Sequence, residues 1–280
     1  MGIGNQVKTV LLLGSLAGLM LVIGFLVGGR QGLFIALTIS ILINFITYWF
    51  SDKIVLFMYK AKEADKKHHA QLHSIVESVA KKANIPKPKV YIIENETPNA
   101  FATGRGPSNA AVACTTGIMK LLNKEELEGV IAHEMAHVKN RDILVATIAA
   151  TIASIISYVA SMARWGAYFG NDDDGANFLA VIILSILAPI IAIIIQLAIS
   201  RSREYLADET GAKIVKNPKG LASALSKLSN GCAAKPMKSA NQATASLFIV
   251  NPFSAKAVFS LFSTHPPIDE RIRRLNQMKV

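Results

Sequence analysis

Residues 129–163 read GVIAHEMAHVKNRDILVATIAATIASIISYVASMA, and two kinds of chemistry meet within this stretch. Its first part carries His133, Glu134 and His137 among charged neighbours, whereas its last 21 residues, 143–163, contain no charged side chain. An uncharged helix of about 20 residues is about 30 Å long, which matches the hydrocarbon core of a bilayer. The stretch therefore predicts a polar site placed immediately before a membrane-spanning helix.

The chain contains several uncharged runs of this length. Hydrophobic residues make up 51% of its 280 residues, a high share for a soluble protein. A soluble fold would have too little polar chain to cover four long apolar helices. We therefore expect a mainly α-helical integral membrane protein with four transmembrane helices, at residues 9–29, 32–51, 143–163 and 175–200. The first run does not resemble a cleaved signal peptide, because it lacks an A-x-A site and the second run follows after two residues.

The basic residues predict the orientation of these helices. Of the 30 Lys and Arg residues, only Arg30 and Arg164 fall in the loops that would face away from the cytoplasm. We therefore expect a multi-pass protein of the cell inner membrane whose two polar segments build one cytoplasmic domain. The predicted organisation is an N-terminal transmembrane hairpin at 1–51, a first cytoplasmic part at 52–142, a second hairpin at 143–200 and a second cytoplasmic part at 201–280.

The charge and the cysteines exclude other classes of protein. The formal net charge of +11 is explained by the basic cytoplasmic flanks, and no RNP or DNA-reading motif accompanies it, so we expect no nucleic-acid partner. Cys114 and Cys232 are the two cysteines, and the chain has no CxxC pair. We therefore expect neither a disulfide framework nor a thiolate zinc site, but two small buried side chains.

A metal site is predicted on the helix that precedes the third hydrophobic run. Asn123 is a good N-cap and Glu126 stands at the capping-box position, so a helix should begin here. On that helix His133 and His137 lie one turn apart on the same face, where two imidazoles can bind one zinc ion. The intervening Glu134 is rotated away from the two imidazoles, toward Val130 and Leu127, so it can act on a metal-bound water molecule rather than bind the metal.

The best third ligand follows the fourth hydrophobic run, in the sequence RSREYLADETGA. Glu204 would reach the same membrane face as His133 because two antiparallel transmembrane helices bring their cytoplasmic ends together. Asp208, one turn later, can accept a hydrogen bond from a ligand imidazole and orient its ring. Gly211 and Ala212 lack bulk and would let the two helices approach closely. The alternative is an ordinary amphipathic helix at the membrane surface.

The motifs HEMAHVKNRD and REYLAD, with the hydrophobic hairpin between them, resemble the HtpX-type membrane zinc proteases of the gluzincin class, which are heat-shock-associated quality-control enzymes. PNAFATG at 98–104 and THPPIDERI at 264–272 extend the resemblance over nearly the whole chain. It implies a zincin-like α+β protease domain with a small sheet and one Zn²⁺ per chain. The residues implied are the zinc ligands His133, His137 and Glu204, the catalytic base Glu134, and Asp142 and Asp208 behind the ligands.

Two further assignments depend mainly on this resemblance. Short strands are predicted at 90–93 and 111–115, and an edge strand beside the metal would bind an extended peptide through Asn99, Ala100 and Phe101. A purely structural sheet is the alternative. His265 is expected to donate a hydrogen bond to the oxyanion of a tetrahedral intermediate. The same segment also predicts the start of a helix with Ile268, Ile272 and Leu275 turned inward.

A second amphipathic helix is predicted within residues 60–83. Its apolar positions recur at helical spacing, which predicts that Leu72, Ile75, Val76 and Val79 face the core. Three histidines also fall in this segment, but no carboxylate or cysteine pattern accompanies them. We therefore predict a solvated helix face rather than a second metal site for His68, His69 and His73.

The metal site and the hydrophobic runs predict zinc-dependent peptide hydrolysis at the cytoplasmic face. The resemblance implies that the substrates are misfolded or damaged membrane proteins and that the enzyme belongs to a stress response. The expected partners are unfolded or membrane-protein substrates and the lipid bilayer. An intramembrane protease is one alternative, but charged residues on both sides of HEMAH indicate a position at the membrane surface. A four-span transporter is another, but the four hydrophobic runs contain no ionisable residue.

Overall fold

The computed structural model describes residues 49–169, 175–234 and 266–280, together with isolated helical positions between residues 11 and 46. The described residues form two compact units. The first unit contains residues of Trp49–Ile143 and Arg203–Val280, and the second contains residues of Gly2–Tyr48 and Leu144–Ser202. The predicted division into four segments stays a prediction.

The described chain is mainly helical and carries one small mixed sheet. Its strands are β1 Lys62–Glu63, β2 Lys89–Ile93, β3 Ala100–Gly104 and β4 Ala110–Thr115, with a 3-10 turn at Pro107–Asn109 between the last two. Its helices are α1 Ser51–Met58, α2 Ala70–Ala83, α3 Thr116–Leu121, α4 Lys124–Lys139, α5 Asp142–Phe169, α6 Gly175–Val215, α7 Pro218–Ala234 and α8 Ile268–Gln277.

The sheet has the order β1-β2-β4-β3, so β3 lies at one edge. β2 and β4 pair in parallel, and both β1 and β3 run antiparallel to their neighbours. Every residue of β4 is buried, as expected for a central strand covered on both faces. The two predicted strands are confirmed as β2 and β4, each one residue longer at its start than predicted. The edge strand is a separate element, β3, which follows Asn99.

The core of the first unit is built from α2, α4, α7 and α8 on one face of the sheet. The predicted inward face of α2 is confirmed, because its four apolar side chains are buried. The histidines before and within α2 have local partners: His68 contacts Asp65, and His73 Nε2 lies 2.9 Å from the Ala64 carbonyl oxygen. The exposed His68 agrees with the predicted solvated helix face, whereas His73 is half-buried and its Nδ1 is shielded from solvent.

The predicted start of α4 is also confirmed. The Asn123 side chain accepts a hydrogen bond from Glu126 N, and the Glu126 side chain accepts one from Asn123 N, which completes a capping box. The Glu126 carboxylate also accepts hydrogen bonds from Ser223 and Lys227 of α7. This buried carboxylate therefore fixes both the first turn of α4 and the position of α7 against it.

The second unit packs alanines together with Ile155, Ile156, Val159 and Ile199 in its core and exposes further large apolar side chains. Its core contains Ala149, Ala153, Ala188 and Ala192, and small residues at such positions let helices approach closely. Many large apolar side chains are exposed in this unit, which is unfavourable in water and suits a lipid environment. Among them are Tyr158, Met162, Ile183, Ile186, Leu187, Ile190, Ile191, Ile193 and Ile194.

Within the part of the chain that the structure describes, one helical stretch, Ser185–Val215, is long and apolar enough to cross a membrane. It overlaps the predicted span at 175–200. The predicted span at 143–163 lies within α5, and those at 9–29 and 32–51 lie mostly outside the described residues. The number of transmembrane helices therefore stays a prediction.

Candidate metal centre

Two helices bring three potential metal ligands together. His133 and His137 project from α4, and Glu204 projects from α6. His133 Nε2 lies 3.2 Å from His137 Nε2 and 3.6 Å from Glu204 Oε2, and His137 Nε2 lies 3.5 Å from Glu204 Oε1. Among the described residues, this is the one group of His, Cys, Asp or Glu that meets the geometry of a metal site.

These separations fit a tetrahedral zinc ion. With zinc–ligand distances near 2.0–2.1 Å, two ligand atoms of a tetrahedron are about 3.3 Å apart. The distance between the two Nε2 atoms, and the distance from each Nε2 to a Glu204 carboxylate oxygen, are close to this value. Three protein ligands leave one position for water or substrate. The arrangement therefore meets the requirement for a catalytic rather than a purely structural zinc site.

The charges around the three ligands also suit a divalent cation. With neutral imidazoles, the buried carboxylates outnumber the buried guanidinium groups by two, and a divalent cation would balance this excess. Buried charges without compensation are costly, which favours occupation of the site. The carboxylates are Glu134, Asp142, Glu204 and Asp208, and the guanidinium groups are those of Arg203 and Arg271.

The close approach of α6 to α4 depends on a glycine. A Cβ atom on Gly211 would lie 2.8 Å from His133 N and 3.0 Å from Ala132 C. A contact of 2.8 Å with backbone is shorter than real Cβ atoms tolerate, so a larger residue would have to move one helix. The expectation that Gly211 permits close packing of the two ligand-bearing helices is confirmed.

A carboxylate and an arginine stand behind the first imidazole. His133 Nδ1 lies 3.0 Å from Asp208 Oδ1. The Arg271 guanidinium donates two hydrogen bonds to Asp208, from Nε to Oδ2 and from Nη2 to Oδ1, each at 2.8 Å. A carboxylate that faces Nδ1 favours the tautomer whose Nε2 lone pair is free to bind a metal. Asp208 therefore lies where the sequence predicted it.

A similar pair stands behind the second imidazole. His137 Nδ1 donates a hydrogen bond of 2.6 Å to Asp142 Oδ2, and Arg203 pairs with Asp142 Oδ1. Arg203 Nη2 also donates to the Asn140 carbonyl oxygen at 2.8 Å. Asp142 therefore lies behind a candidate ligand, and its predicted role in orienting that ligand stays a prediction. Each ligand imidazole faces a carboxylate, and each carboxylate is held by a buried arginine.

Charge determines the protonation of Arg271. Burial would lower the pKa of Arg271, but the nearby Asp208 and Glu204 carboxylates raise it above its ordinary value. The guanidinium therefore stays charged. Burial and the Glu134 carboxylate also raise the pKa of the Cys114 thiol, which therefore stays protonated. Cys114 is buried, as predicted.

The structure links the predicted catalytic base to the edge strand. Glu134 is buried beside the ligands on α4, and its Oε2 accepts a hydrogen bond of 2.9 Å from Ala102 N of β3. Since Ala102 N points to Glu134, it points away from β4, and the alternation of a strand gives Ala100 and Gly104 the same outward backbone direction. The outer edge of β3 thus faces the candidate site.

The three residues predicted to bind substrate have different environments. Asn99 is bonded to the sheet, because its amide donates to Thr115 Oγ1 and its carbonyl accepts from Thr115 N. Ala100 is buried and stands opposite Cys114 in the register with β4. The ring of Phe101 packs beneath α1, with its centroid 5.5 Å from that of Tyr59. Phe101 therefore directs its side chain to the sheet face away from α4.

His265 lies outside the described residues, so its predicted role in oxyanion binding stays a prediction. The helix predicted to follow it is confirmed as α8, with Leu275 buried and Ile268 and Ile272 packed against the core. The sequence interpretation missed Arg203, Arg271 and the amide of Ala102. Helical spacing could have revealed Arg271, because it stands three residues after Ile268 and four before Leu275 and therefore shares their inward face.

Comparisons with known proteins agree with this geometry. The family model described as peptidase family M48 matches residues 66–279. The chain is 54% identical over 277 residues to the protease HtpX homolog of Desulfatibacillum aliphaticivorans, covering 97% of this chain and 89% of that protein. It is 53% identical over 281 residues to the protease HtpX homolog of Pyrococcus furiosus, covering 99% and 97%, respectively.

Among solved structures, the crystal structure of S. mikatae Ste24p matches with a TM-score of 0.61 at 18% identity. The match covers 98% of this chain and 66% of that chain. At this level of identity the likeness is one of fold.

Proposed function

Because the chain belongs to peptidase family M48, we propose that it is a membrane-bound zinc endopeptidase that cuts misfolded or damaged membrane proteins at the cytoplasmic face. Membership of this family confirms the resemblance inferred from the motifs, and the chain is a metallopeptidase. The observation that carries the proposal is the convergence of His133, His137 and Glu204 with Glu134 beside them.

The proposed metal ligands are the three side chains whose separations fit a tetrahedral site. When bound, zinc supplies Lewis-acid chemistry, which polarises a carbonyl group and makes water acidic enough to act as a nucleophile near neutral pH. The carboxylates of Asp208 behind His133 and of Asp142 behind His137 favour the imidazole tautomer whose Nε2 can bind the metal.

Glu134 is the proposed general base. It lies one residue after His133 on α4, so its carboxylate stands beside the ligands without belonging to the group that meets metal geometry. The hydrogen bond from Ala102 N fixes Oε2 in this position. In the proposed reaction Glu134 takes a proton from the attacking water and returns it to the nitrogen of the leaving amine.

The outer edge of β3 is the proposed binding surface for the substrate backbone. An extended peptide can add to this edge as a further strand, using the outward backbone groups of Ala100, Ala102 and Gly104. Main-chain hydrogen bonds do not depend on the substrate sequence, which suits an enzyme that acts on unfolded segments. Specificity would then depend on side-chain pockets beside the strand. Phe101 supports the strand from its far face by packing against Tyr59.

A cytoplasmic site at the membrane surface is supported by the distribution of charge. Charged residues precede and follow HEMAH, whereas the run at 143–163 is uncharged. The exposed apolar side chains of the second unit support membrane association. Cytoplasmic loops and exposed tails of membrane proteins would be the nearest substrates. Neither the intramembrane protease nor the transporter gains support, because the chain is a peptidase whose candidate ligands lie among charged residues.

The test replaces the proposed base without touching a ligand. Glu134→Gln should retain one zinc per chain but lose cleavage of an unfolded substrate such as casein by about 10²- to 10⁴-fold, the usual contribution of general acid–base catalysis. Glu128→Gln is a matched control on the same helix, where Glu128 pairs with Lys82 at the surface. Wild-type cleavage by the Glu134→Gln protein would disprove the proposed mechanism.

A further inference from the structure

Arg271 is a buried charge that reaches the candidate metal site from the last described helix. It is 0% exposed, the lowest value among the buried charged residues. In addition to its two hydrogen bonds to Asp208, its Nη1 lies 3.3 Å from Glu204 Oε2, and its Nη2 lies 3.4 Å from His133 Nε2. One guanidinium thus contacts two candidate ligands and the carboxylate behind one of them.

We propose that Arg271 is a positioning residue through which docking of α8 controls metal binding. The inference rests on the proposed function, because it concerns the same three ligands. In this arrangement α8 completes the support of the metal centre, and the ligands of α4 and α6 reach full affinity only while α8 is docked.

The planar shape of the guanidinium explains the choice of arginine. Nε and Nη2 bind both oxygens of Asp208, and the same plane leaves Nη1 directed at Glu204. Asp208 and Glu204 are therefore held at a fixed distance by one rigid group. A lysine carries the same charge on a single nitrogen and does not reproduce this two-sided arrangement.

The other buried arginine of the site supports a ligand in a different way. Arg203 precedes Glu204 on α6, and it donates hydrogen bonds to Asp142 and to the Asn140 carbonyl oxygen at the α4–α5 junction. It therefore depends on helices that already carry or flank the ligands. Arg271, in contrast, belongs to a helix that supplies none of the candidate ligands.

The packing of α8 against the core brings Arg271 into contact with Asp208 and Glu204. Leu275 is buried in the core of the first unit, Ile268 and Ile272 pack against that core, and α8 lies against α7. These three apolar residues share one face of the helix with Arg271, so burying that face also delivers the guanidinium to the site. If docking of α8 favours metal binding, linkage requires that metal binding favours docking of α8 by the same factor.

The first experiment measures zinc affinity by chelator competition in the full chain in detergent. Arg271→Gln should weaken zinc binding by about 10- to 100-fold, as loss of a residue that orients ligands commonly does. Arg271→Lys should also weaken it, because it keeps the charge but loses the planar geometry. Arg273→Gln, on the same helix and paired with Glu270 at the surface, should bind zinc like the wild type.

The opposite result is physically possible and would overturn the inference. A guanidinium repels a cation, so a residue that acted only through its charge would give tighter zinc binding in Arg271→Gln and unchanged binding in Arg271→Lys. Unchanged binding in both variants would equally exclude a positioning role. The visible spectrum of the cobalt-substituted proteins provides a second readout, because altered ligand geometry should change it in both Arg271 variants and not in Arg273→Gln.

A measurement on the wild type covers the case in which Arg271→Gln does not fold. Addition of zinc to the metal-free wild type should slow hydrogen exchange in α8, residues Ile268–Gln277, and the effect should disappear in Glu204→Gln. If zinc binds but exchange in α8 is unchanged, the inference fails while the proposed metal site stands. If the wild type binds no zinc at all, the proposed function fails instead.

Discussion

The two sides of the candidate metal centre use the same side-chain types but differ in burial and in the helix that supplies the supporting arginine. The His133 side chain is 2% exposed, and the arginine behind it comes from α8. The His137 side chain is 19% exposed, and the arginine behind it comes from α6. The comparison shows that one side depends on a helix distant in sequence, whereas the other is built from residues next to the ligands.

The largest effect is expected on the buried side. Asp208→Asn removes the carboxylate that accepts two hydrogen bonds from the fully buried Arg271 and leaves Glu204 as a charged contact of the guanidinium. Breaking a buried ion pair typically costs about 3–5 kcal/mol. We expect a large drop in the melting temperature of the metal-free protein and weaker zinc binding. A melting temperature within a few degrees of the wild type would show that loss of the carboxylate on the buried side costs no more stability than loss of an exposed one.

A smaller effect is expected for the matching change on the other side. Asp142→Asn removes the charged acceptor of Arg203, but the Asn140 carbonyl remains bonded to that arginine, and water can reach His137. Loss of hydrogen bonds to a charged group then costs about 1.5–3 kcal/mol. The comparison would break if Asp142→Asn lowered the thermal stability as much as Asp208→Asn does.

The helix crossing itself can be tested through Gly211. Gly211→Ala places a methyl group against the backbone at His133, and overpacking of this kind usually costs about 1–3 kcal/mol. Because the methyl group pushes α6 away from α4, it should also weaken zinc binding. Gly106→Ala is a useful comparison, since a Cβ there meets nothing within 4 Å, although its backbone φ of 153° adds strain. Unchanged zinc affinity in Gly211→Ala would show that the ligands tolerate a shift of α6.

The smallest effect is expected at the surface contact between α8 and α6. The Arg274 guanidinium lies 3.9 Å from the ring centroid of Tyr205, the neighbour of Glu204. An exposed cation–π contact contributes about 0.5–1 kcal/mol, so Arg274→Gln should lower thermal stability slightly and leave zinc affinity unchanged. A loss of affinity comparable to that of Arg271→Gln would show that docking of α8 in general, rather than Arg271, controls the site.

Local patterns made much of this architecture predictable. The capping box at Asn123, the inward face of α2, the position of Asp208 and the need for Gly211 all follow from helical spacing or from short motifs. These features depend on residues close together in sequence, or on one helix pair. The proximity of Glu204 to His133 was predictable because two antiparallel hydrophobic runs separate them and bring their ends to one side.

Other contacts required the folded chain. Arg271 lies 63 positions after Asp208, and no local pattern predicts which carboxylate an inward-facing arginine will contact. An edge strand beside the metal was expected, but no strand was predicted at Ala100–Gly104, because the sequence AFATG is short and rich in small residues. The side-chain direction of Phe101 depends on the strand register with β4, and that register is fixed by pairing rather than by local propensity.

The Ala102 amide serves both parts of the proposed site, because it donates a hydrogen bond to Glu134 and lies on the strand edge proposed to bind substrate. A substrate strand that paired with the outer edge of β3 would direct a carbonyl oxygen at the amide proton of Ala102, which Glu134 Oε2 accepts in this structure. The substrate backbone and the Glu134 carboxylate would thus compete for one hydrogen-bond donor. If a substrate strand adds to β3 as proposed, its carbonyl oxygen would replace Glu134 Oε2 at the Ala102 amide, and that carboxylate oxygen would then be available to accept a proton.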